Sequence, residues 1–415
     1  MENFQDIYLK NKSNLLGYKY SNIDLFKQKL LNKIKIDSKY FNKDESIKHL
    51  DKGFLNNFIF KFDKLKNNII HAENNNIENS ILNISDTTLY ELTNFKKNKI
   101  IFNTLYDNLD LIDKLILKDK KAISSDFILN LNTIFLNSGF EIIIQNNDSQ
   151  LLTINHEYSD KAIFAKNYFR IGKNVSITII ENINSKNKSY NNLLNFFDLD
   201  EGSNVNHYVL HNSNEDSLSK VTSFINCSEK TSFNQCVFNI SSSNTRNHHY
   251  GNLNGQNSEI NLRGIFFGAR EQIIDNKTEI NHFFPNCSSN QTYKGILGEN
   301  AKASYLSKTY VKDIAQKTQG YQLSKGIILS DKASFYSKPE LKIYADDVKC
   351  SHGSTISSFD KNQIFYLRSR GLSKKLSKSF LIKSFYNDII DSLDNKNYVN
   401  DVRVNADNWI KKNLN

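Results

Sequence analysis

Six short words between residues 171 and 333 constrain what this chain can fold into. Ile171-Gly-Lys-Asn-Val175, Leu199-Asp-Glu-Gly-Ser203, Cys227-Ser-Glu-Lys-Thr231, Leu253-Asn-Gly-Gln-Asn257, Leu297-Gly-Glu-Asn-Ala301 and Leu329-Ser-Asp-Lys-Ala333 share one plan. Each runs an apolar residue into a polar turn and then, usually, a small or branched residue entering a strand. Successive anchors lie 28, 28, 26, 44 and 32 residues apart. A period below ~50 residues points to stacked units. The units hold strands: Glu141–Ile144, Ile177–Ile180 and Tyr208–Leu210 are β-rich and bounded by polar turns. Parallel strands coiled into a β-helix satisfy this pattern, because each strand pairs with the coils above and below. A β-sandwich with regularly spaced turns fits the same spacing.

The flanks read differently. Ile23, Leu25-Phe26, Leu30-Leu31 and Ile34 recur at near-helical spacing, with Asn22 or Asp24 as the expected cap. These helices are expected to cover one end of the stack, whose raw strand edges would otherwise pair promiscuously. After residue 352 helices return. Asp360 and Gln363 have the form of a capping box, Arg370-Gly371 breaks the helix, and Ser373 starts a second carrying Leu376, Phe380, Leu381, Phe385, Ile389 and Leu393. The expected organisation is a helical region over 1–92, a β-helix core over 93–345 and a helical region over 346–415.

Composition narrows the function. The formal charge is +10, but the lysines are spread along the chain without an Arg-rich block or aromatic–basic interleaving. A solvated surface is expected, not a nucleic-acid groove. No charged-then-apolar leader opens the chain and no apolar run is long enough to span a bilayer. Four scattered cysteines fit free thiols in a reducing compartment, so a cytoplasmic location without membrane association is expected. With only 2 Pro and 15 Gly, the abundant Asn, Lys and Ile read as compositional bias.

The familiar catalytic signatures are missing: no G-x-x-x-x-G-K-[ST], G-x-S-x-G, H-E-x-x-H or C-x-x-C occurs. Gly251-Asn-Leu-Asn-Gly255 lacks the lysine of a phosphate loop. The adjacent His248 and His249 point to opposite faces of a strand and cannot easily share one metal. Thr278, Ile280 and His282 fall on one face, where a buried, hydrogen-bonded histidine is expected. Cys227, Cys236 and Cys287 have no metal-ligand spacing and read as small buried residues. Asp346-Asp347 reads as a turn, since a hard-cation cage needs more oxygens. Cys350 and His352 remain. Two apart in an extended segment, they lie on one side, a plausible half-site for a thiophilic metal. A buried cysteine beside a hydrogen-bonded histidine has the same spacing.

The surrounding words add a resemblance. Pro339-Glu340-Leu341 through Ile343-Tyr344-Ala345-Asp346-Asp347-Val348-Lys349-Cys350-Ser351-His352-Gly353, followed by Ile364 to Gly371, resembles the signature of the SufD family of iron–sulfur cluster assembly proteins. So does the D-x-x-T-x-I-x-H-x-x-P word from Asp275, with Ser289, Gln291 and Lys294-Gly295-Ile296-Leu297. Ala315 to Thr318, Tyr321-Gln322 and Ile327 to Ser330 add to it. The resemblance is strong over about residues 245–390. Before that, only Tyr18-Lys19-Tyr20-Ser21-Asn22 carries it.

The resemblance implies a mainly β fold: a right-handed parallel β-helix between helical ends. It implies a non-enzymatic subunit of a Suf complex that pairs with a SufB-like subunit near residues 300–352 and docks a SufC-like ABC ATPase through 360–400. His352 would be a ligand shared at the SufB-like junction and Cys350 a nearby thiol. A transient Fe–S cluster would belong to the complex, with none on the isolated chain, which would form a homodimer. Ser324 stands where SufB-like paralogues carry a cysteine, which places the chain on the SufD side. The family's complex can bind flavin, for which the sequence shows no site. Two rivals remain: a β-helix enzyme acting on polysaccharide, which usually needs a row of acids and Arg on one face, and a basic nucleic-acid-binding solenoid.

Overall fold

The computed structural model describes residues 4–37, 60–62, 64, 68–74, 78–86, 89–106, 108, 110–113, 126–145, 150–213, 216–240 and 244–414. Its core is a parallel β-helix of two sheets. One holds β1 (Asn68–Ala72), β2 (Ser80–Ser85), β3 (Leu89–Thr93), β6 (Gln150–Tyr158), β8 (Ser176–Ser185), β10 (Asn204–His211), β12 (Ser232–Asn239), β14 (Glu259–Gly268), β16 (Ser288–Leu297), β18 (Thr318–Ile328) and β20 (Val348–Ser357). The other holds β4 (Ile100–Thr104), β5 (Ser138–Ile144), β7 (Ala162–Ile171), β9 (Tyr190–Leu199), β11 (Leu218–Cys227), β13 (Asn244–Leu253), β15 (Ile273–His282), β17 (Lys302–Val311) and β19 (Ser334–Ile343). From β5 onward each turn gives one strand to each sheet, so neighbours are two apart in sequence order and parallel. The antiparallel pairs β2–β3 and β4–β5 lie at the starting end.

Register explains the repeat. Ile144, Ile171, Leu199, Cys227, Leu253, His282, Val311 and Ile343 occupy one inward column. The expected anchors Leu297 and Leu329 are not in it. Leu297 belongs to the other sheet, beside Gly268 and Ile328, and Leu329 is half-buried against the apolar cluster that this sheet's outer face shares with the C-terminal helices. The 44-residue step therefore covers one and a half turns and lands on the other sheet. The true next member is His282, 29 residues after Leu253, a polar residue that a search for apolar anchors passes over.

The polar turn has its own column. Asn174, Gly202, Lys230, Asn257, Asn286 and Lys317 all take positive φ, between 56° and 73°. Each donates its backbone N–H to the next turn, as Gly202 does to the Glu229 carbonyl at 3.0 Å. Asparagine tolerates the left-handed region better than other non-glycine residues. Asparagines also stack in register between turns: Asn281 Nδ2 donates to Asn252, Asn252 to Asn226, and Asn226 to Asp198, at 2.9–3.0 Å. Part of the apparent compositional bias is thus structural.

Helices flank the faces of the stack. Helices α1 (Phe4–Asn11), α2 (Ser21–Asp37) and α3 (Phe127–Ile134) share an apolar cluster with Phe164, Tyr168, Tyr190 and Leu194, on the outer face of the β4–β19 sheet. Ile23, Leu30, Leu31 and Ile34 are buried as expected, whereas Leu25 is exposed. Asp24 lies inside α2, where it accepts hydrogen bonds from Tyr8 (2.6 Å) and Lys12 (2.8 Å). At the other end come α4 (Lys361–Ser369), α5 (Lys374–Ile390) and α6 (Lys396–Asn413). Asp360 and Ser373 cap α4 and α5. Helices α5 and α6 bury Ile382, Tyr386, Tyr398, Val402 and Trp409 against Tyr208, Phe238 and Phe267 on the outer face of the β1–β20 sheet.

Two expectations therefore change. The helices lie over sheet faces, because the apolar outer columns, not the strand edges, offer them area to bury. Strands also begin at Asn68 and continue to Ser357, so both expected boundaries, 92 and 345, fall short of the sheet ends. The helical reading of the residues between 38 and 59 lies outside the described residues.

Candidate functional site

The last turn ends the stack without a cover from the described chain. Among the described residues strand β19 pairs only with β17, and β20 only with β18. Inside earlier turns, inward side chains are buried by the next rung. In β20 they are not: of its ten residues, seven are exposed and none is fully buried.

Cys350 and His352 lie on the inward side of β20, about 7 Å apart along the strand. Cys350 is beside Gly320 and His352 beside Gln322. A Cβ at Gly320 would come within 3.2 Å of the Cys350 Sγ, so the glycine makes room for the thiol. Cys350 joins Val311, Ala315, Ala345, Ile343 and Val348 in a small apolar cluster. It is half-buried, and that burial pushes its thiol above the ordinary range. His352 is exposed and ends an inward column of Leu262, Gln291 and Gln322.

That column is polar where it nears the open end. Thr278 donates to Gln291 Oε1 at 2.6 Å, and Gln291 Nε2 donates to Thr309 Oγ1 at 2.8 Å. Gln322 Nε2 donates to the same Thr309 oxygen at 2.8 Å, and Ser307 donates to Gln322 Oε1 at 3.1 Å. The glutamines are held on both ends, which fixes the floor beneath His352. Ser324 is buried one inward position further along β18, and no hydrogen bond reaches its Oγ among the described residues.

The other candidates separate from this place. His248 faces outward and contacts Asp275 at 2.9 Å, while His249 points into the stack. His282 contacts the Ser289 hydroxyl at 2.8 Å. Burial pushes His248 and His282 down to about 4, and His249 well below its ordinary value. Cys227, Cys236 and Cys287 are buried with thiols pushed up by burial, Cys227 to about 12. Asp346-Asp347 forms a turn closed by Val348 N to Asp346 O at 3.2 Å. Among the described residues no three His, Cys, Asp or Glu side chains gather so as to hold a metal ion.

Sequence reasoning missed two buried polar networks. Arg246, fully buried, pairs with Asp126, the N-cap of α3, and its Nε lies 3.8 Å from Asp275. Inside the stack, Glu181 lies between His156 (2.7 Å) and His207 (3.0 Å), and its carboxyl is held well below the usual range. A third, part-buried contact did carry a sequence signal: Lys294, in the Lys294-Gly295-Ile296-Leu297 word, reaches Asp388 and the Phe385 carbonyl of α5 at 2.6–2.7 Å.

Residues 153–385 match the family described as SUF system FeS cluster assembly, SufBD core domain. A Synechocystis iron–sulfur cluster assembly SufBD family protein is 31% identical over 204 residues, 49% of this chain and 45% of that protein. The Escherichia coli iron–sulfur cluster assembly protein SufD is 34% identical over 141 residues, 34% of this chain and 33% of that protein. The Plasmodium falciparum protein of the same description is 29% identical over 247 residues, 55% of this chain and 16% of that protein. The matched stretches thus span less than half the length of each of these relatives. Among the described residues no helix is long and apolar enough to cross a membrane.

Proposed function

The chain belongs to the SufBD core family of the SUF iron–sulfur cluster assembly system, and on that premise we propose that it is a non-catalytic scaffold subunit of a Suf complex. It pairs through the open end of its β-helix with a SufB-like subunit. A SufC-like ABC ATPase docks on its C-terminal helices and supplies the ATP hydrolysis for which this chain carries no nucleotide loop. The cluster is cargo: it is assembled at the junction and then passed on.

One observation carries the reading. Among the described residues both sheets stop at unpaired edges, β19 and β20, where the inward His352 is exposed and Cys350 half-buried. Unpaired strand edges with inward side chains open to solvent are a template for another strand-ended surface. A cluster takes about four terminal protein ligands and this end offers at most two, so the others are supplied by the partner. An incomplete, shared site also suits a cluster that has to leave. His352 is a shared ligand. Cys350, seated in its apolar cluster, supports it as a neighbouring thiol.

Ile356 tests the pairing without touching the proposed ligands. It lies on the inward side of β20 and is 40% exposed, so Ile356→Asp leaves the isolated fold intact. In the complex that carboxylate is buried without a partner, at a cost of several kcal/mol. Co-purification of the SufB-like subunit is expected to fall at least tenfold, with an unchanged circular dichroism spectrum. Full recovery of the partner by Ile356→Asp contradicts pairing through this end.

A further inference from the structure

We infer that the exposed face of the α4–α5 pair seats in an apolar groove rimmed with carboxylates on its protein partner, and that opposite charge steers the encounter. The inference rests on the ATPase-docking reading above and adds the chemistry of the surface that receives these helices.

Helix α4 has no buried residue, and Phe365 and Tyr366 on it are 74% and 58% exposed. Leu376 and Phe380 on α5 are each 57% exposed. They cannot turn inward, because the opposite side of α5 is already committed through Ile382, Tyr386, Ile389 and Ile390 to the sheet. Four large apolar side chains on two joined helices are anchors that want pockets.

Their setting is strongly basic. From Lys361 to Asn387 there are seven Lys and Arg and no Asp or Glu. Lys361, Phe365 and Arg368 follow at i, i+4 and i+7, so cations and the aromatic anchor share one face of α4. The carboxylates bordering this segment are already engaged, one of them by a cation of the segment itself. Asp360 caps α4, Asp388 binds Lys294 at 2.6 Å, and Asp407 binds Lys383 at 2.7 Å. The sequence as a whole spreads its lysines; this segment sets an excess of cations around these anchors, with Lys383 paired to Asp407. Such a field attracts an acidic surface over a Debye length, about 8–10 Å at ordinary salt. A bilayer surface fits less well, because an interfacial helix presents one continuous apolar stripe. Here the apolar side chains are divided between two helices.

The test is stopped-flow association of the full chain with the cognate SufC-like ATPase across ~0.05–0.5 M NaCl. The association rate is expected to fall about tenfold or more across that range, with little change in dissociation. Lys374→Glu with Lys375→Glu is expected to lower the low-salt rate similarly, and Phe380→Asp to abolish binding. A salt-independent rate, unaltered by the lysine reversals while Phe380→Asp still abolishes binding, overturns the acidic groove and leaves the docking site standing. Full binding by Phe380→Asp overturns the docking reading itself. Tighter binding to vesicles of anionic phospholipid than to the ATPase replaces the protein partner with a membrane.

Discussion

Replacing Arg246 with Ala is expected to cost about 3–5 kcal/mol of folding stability, the range for removing one partner of a buried ion pair. The guanidinium is fully buried, bonded to Asp126, and near Asp275. Its removal leaves two carboxylates in a low-dielectric interior, although Asp275 keeps His248 and Ser304. Asp126 also caps α3, accepting from the backbone N–H of Ile128 at 2.8 Å, so the loss reaches helix and sheet together. Urea unfolding measures it as a lower midpoint at unchanged slope. Arg246→Lys is expected to recover only part, because an ammonium lacks the fork that addresses two carboxylates. A loss below ~1 kcal/mol for the alanine variant would show that water already reaches this ion pair.

Acidification from pH 7 to 5 is expected to destabilise the fold steeply. Burial holds His211, His248 and His282 down at about 4, and His249 well below its ordinary value. The unfolded chain protonates each near ~6.5. Between those values the unfolded state binds more protons than the folded state, so stability falls as pH falls. The stabilisation is fully present above ~6.5 and is lost on the way to about 4, at up to roughly 1.4 kcal/mol per pH unit for each histidine. The groups around them are buried too. His248 faces Asp275 and Arg246, His211 lies against Ser219 and feels Glu181, and His282 meets Ser289. Asp126, Glu181 and Asp275 have depressed values, so their contribution persists above ~4 and is lost only at lower pH. Urea midpoints at pH 7.5, 6 and 5 test this, with His282→Asn reducing the slope. Equal midpoints at pH 7.5 and 5 would mean that the folded chain accepts these protons.

The stack was legible in the sequence because its turns repeat a local chemical need. An apolar residue fills the interior, and a residue tolerant of positive φ follows at the corner. Local needs recur with the period of the coil, so Ile171, Leu199, Cys227 and Leu253 stood out. His282 did not, because its place in the column is filled by a hydrogen bond to Ser289 instead of by apolar contact. Cys350 and His352 were expected on one side of an extended segment and are found there. The open end was not legible, since periodicity shows where turns repeat but not whether another element covers the last. The helices were placed at the ends for the same reason: an amphipathic stripe says that a helix buries a face, not which surface receives it. Asp126 and Arg246 are 120 positions apart and unlike in local pattern, so nothing short of the fold brings them together.

In the proposed function the open end of the β-helix offers His352 as a ligand to a cluster completed by a second subunit. The most direct measurement is iron and acid-labile sulfide in the complex formed on anaerobic co-expression with a SufB-like subunit and an ABC ATPase, comparing wild type with His352→Ala. The ring is exposed on β20 and adds little interface area, so the subunits are expected to stay together while cluster content falls severalfold. Cys350→Ser is expected to lower it less. An intact His352→Ala complex with full iron and sulfide would contradict the ligand role and leave the Cys350–Gly353 word as the structural end of the last turn.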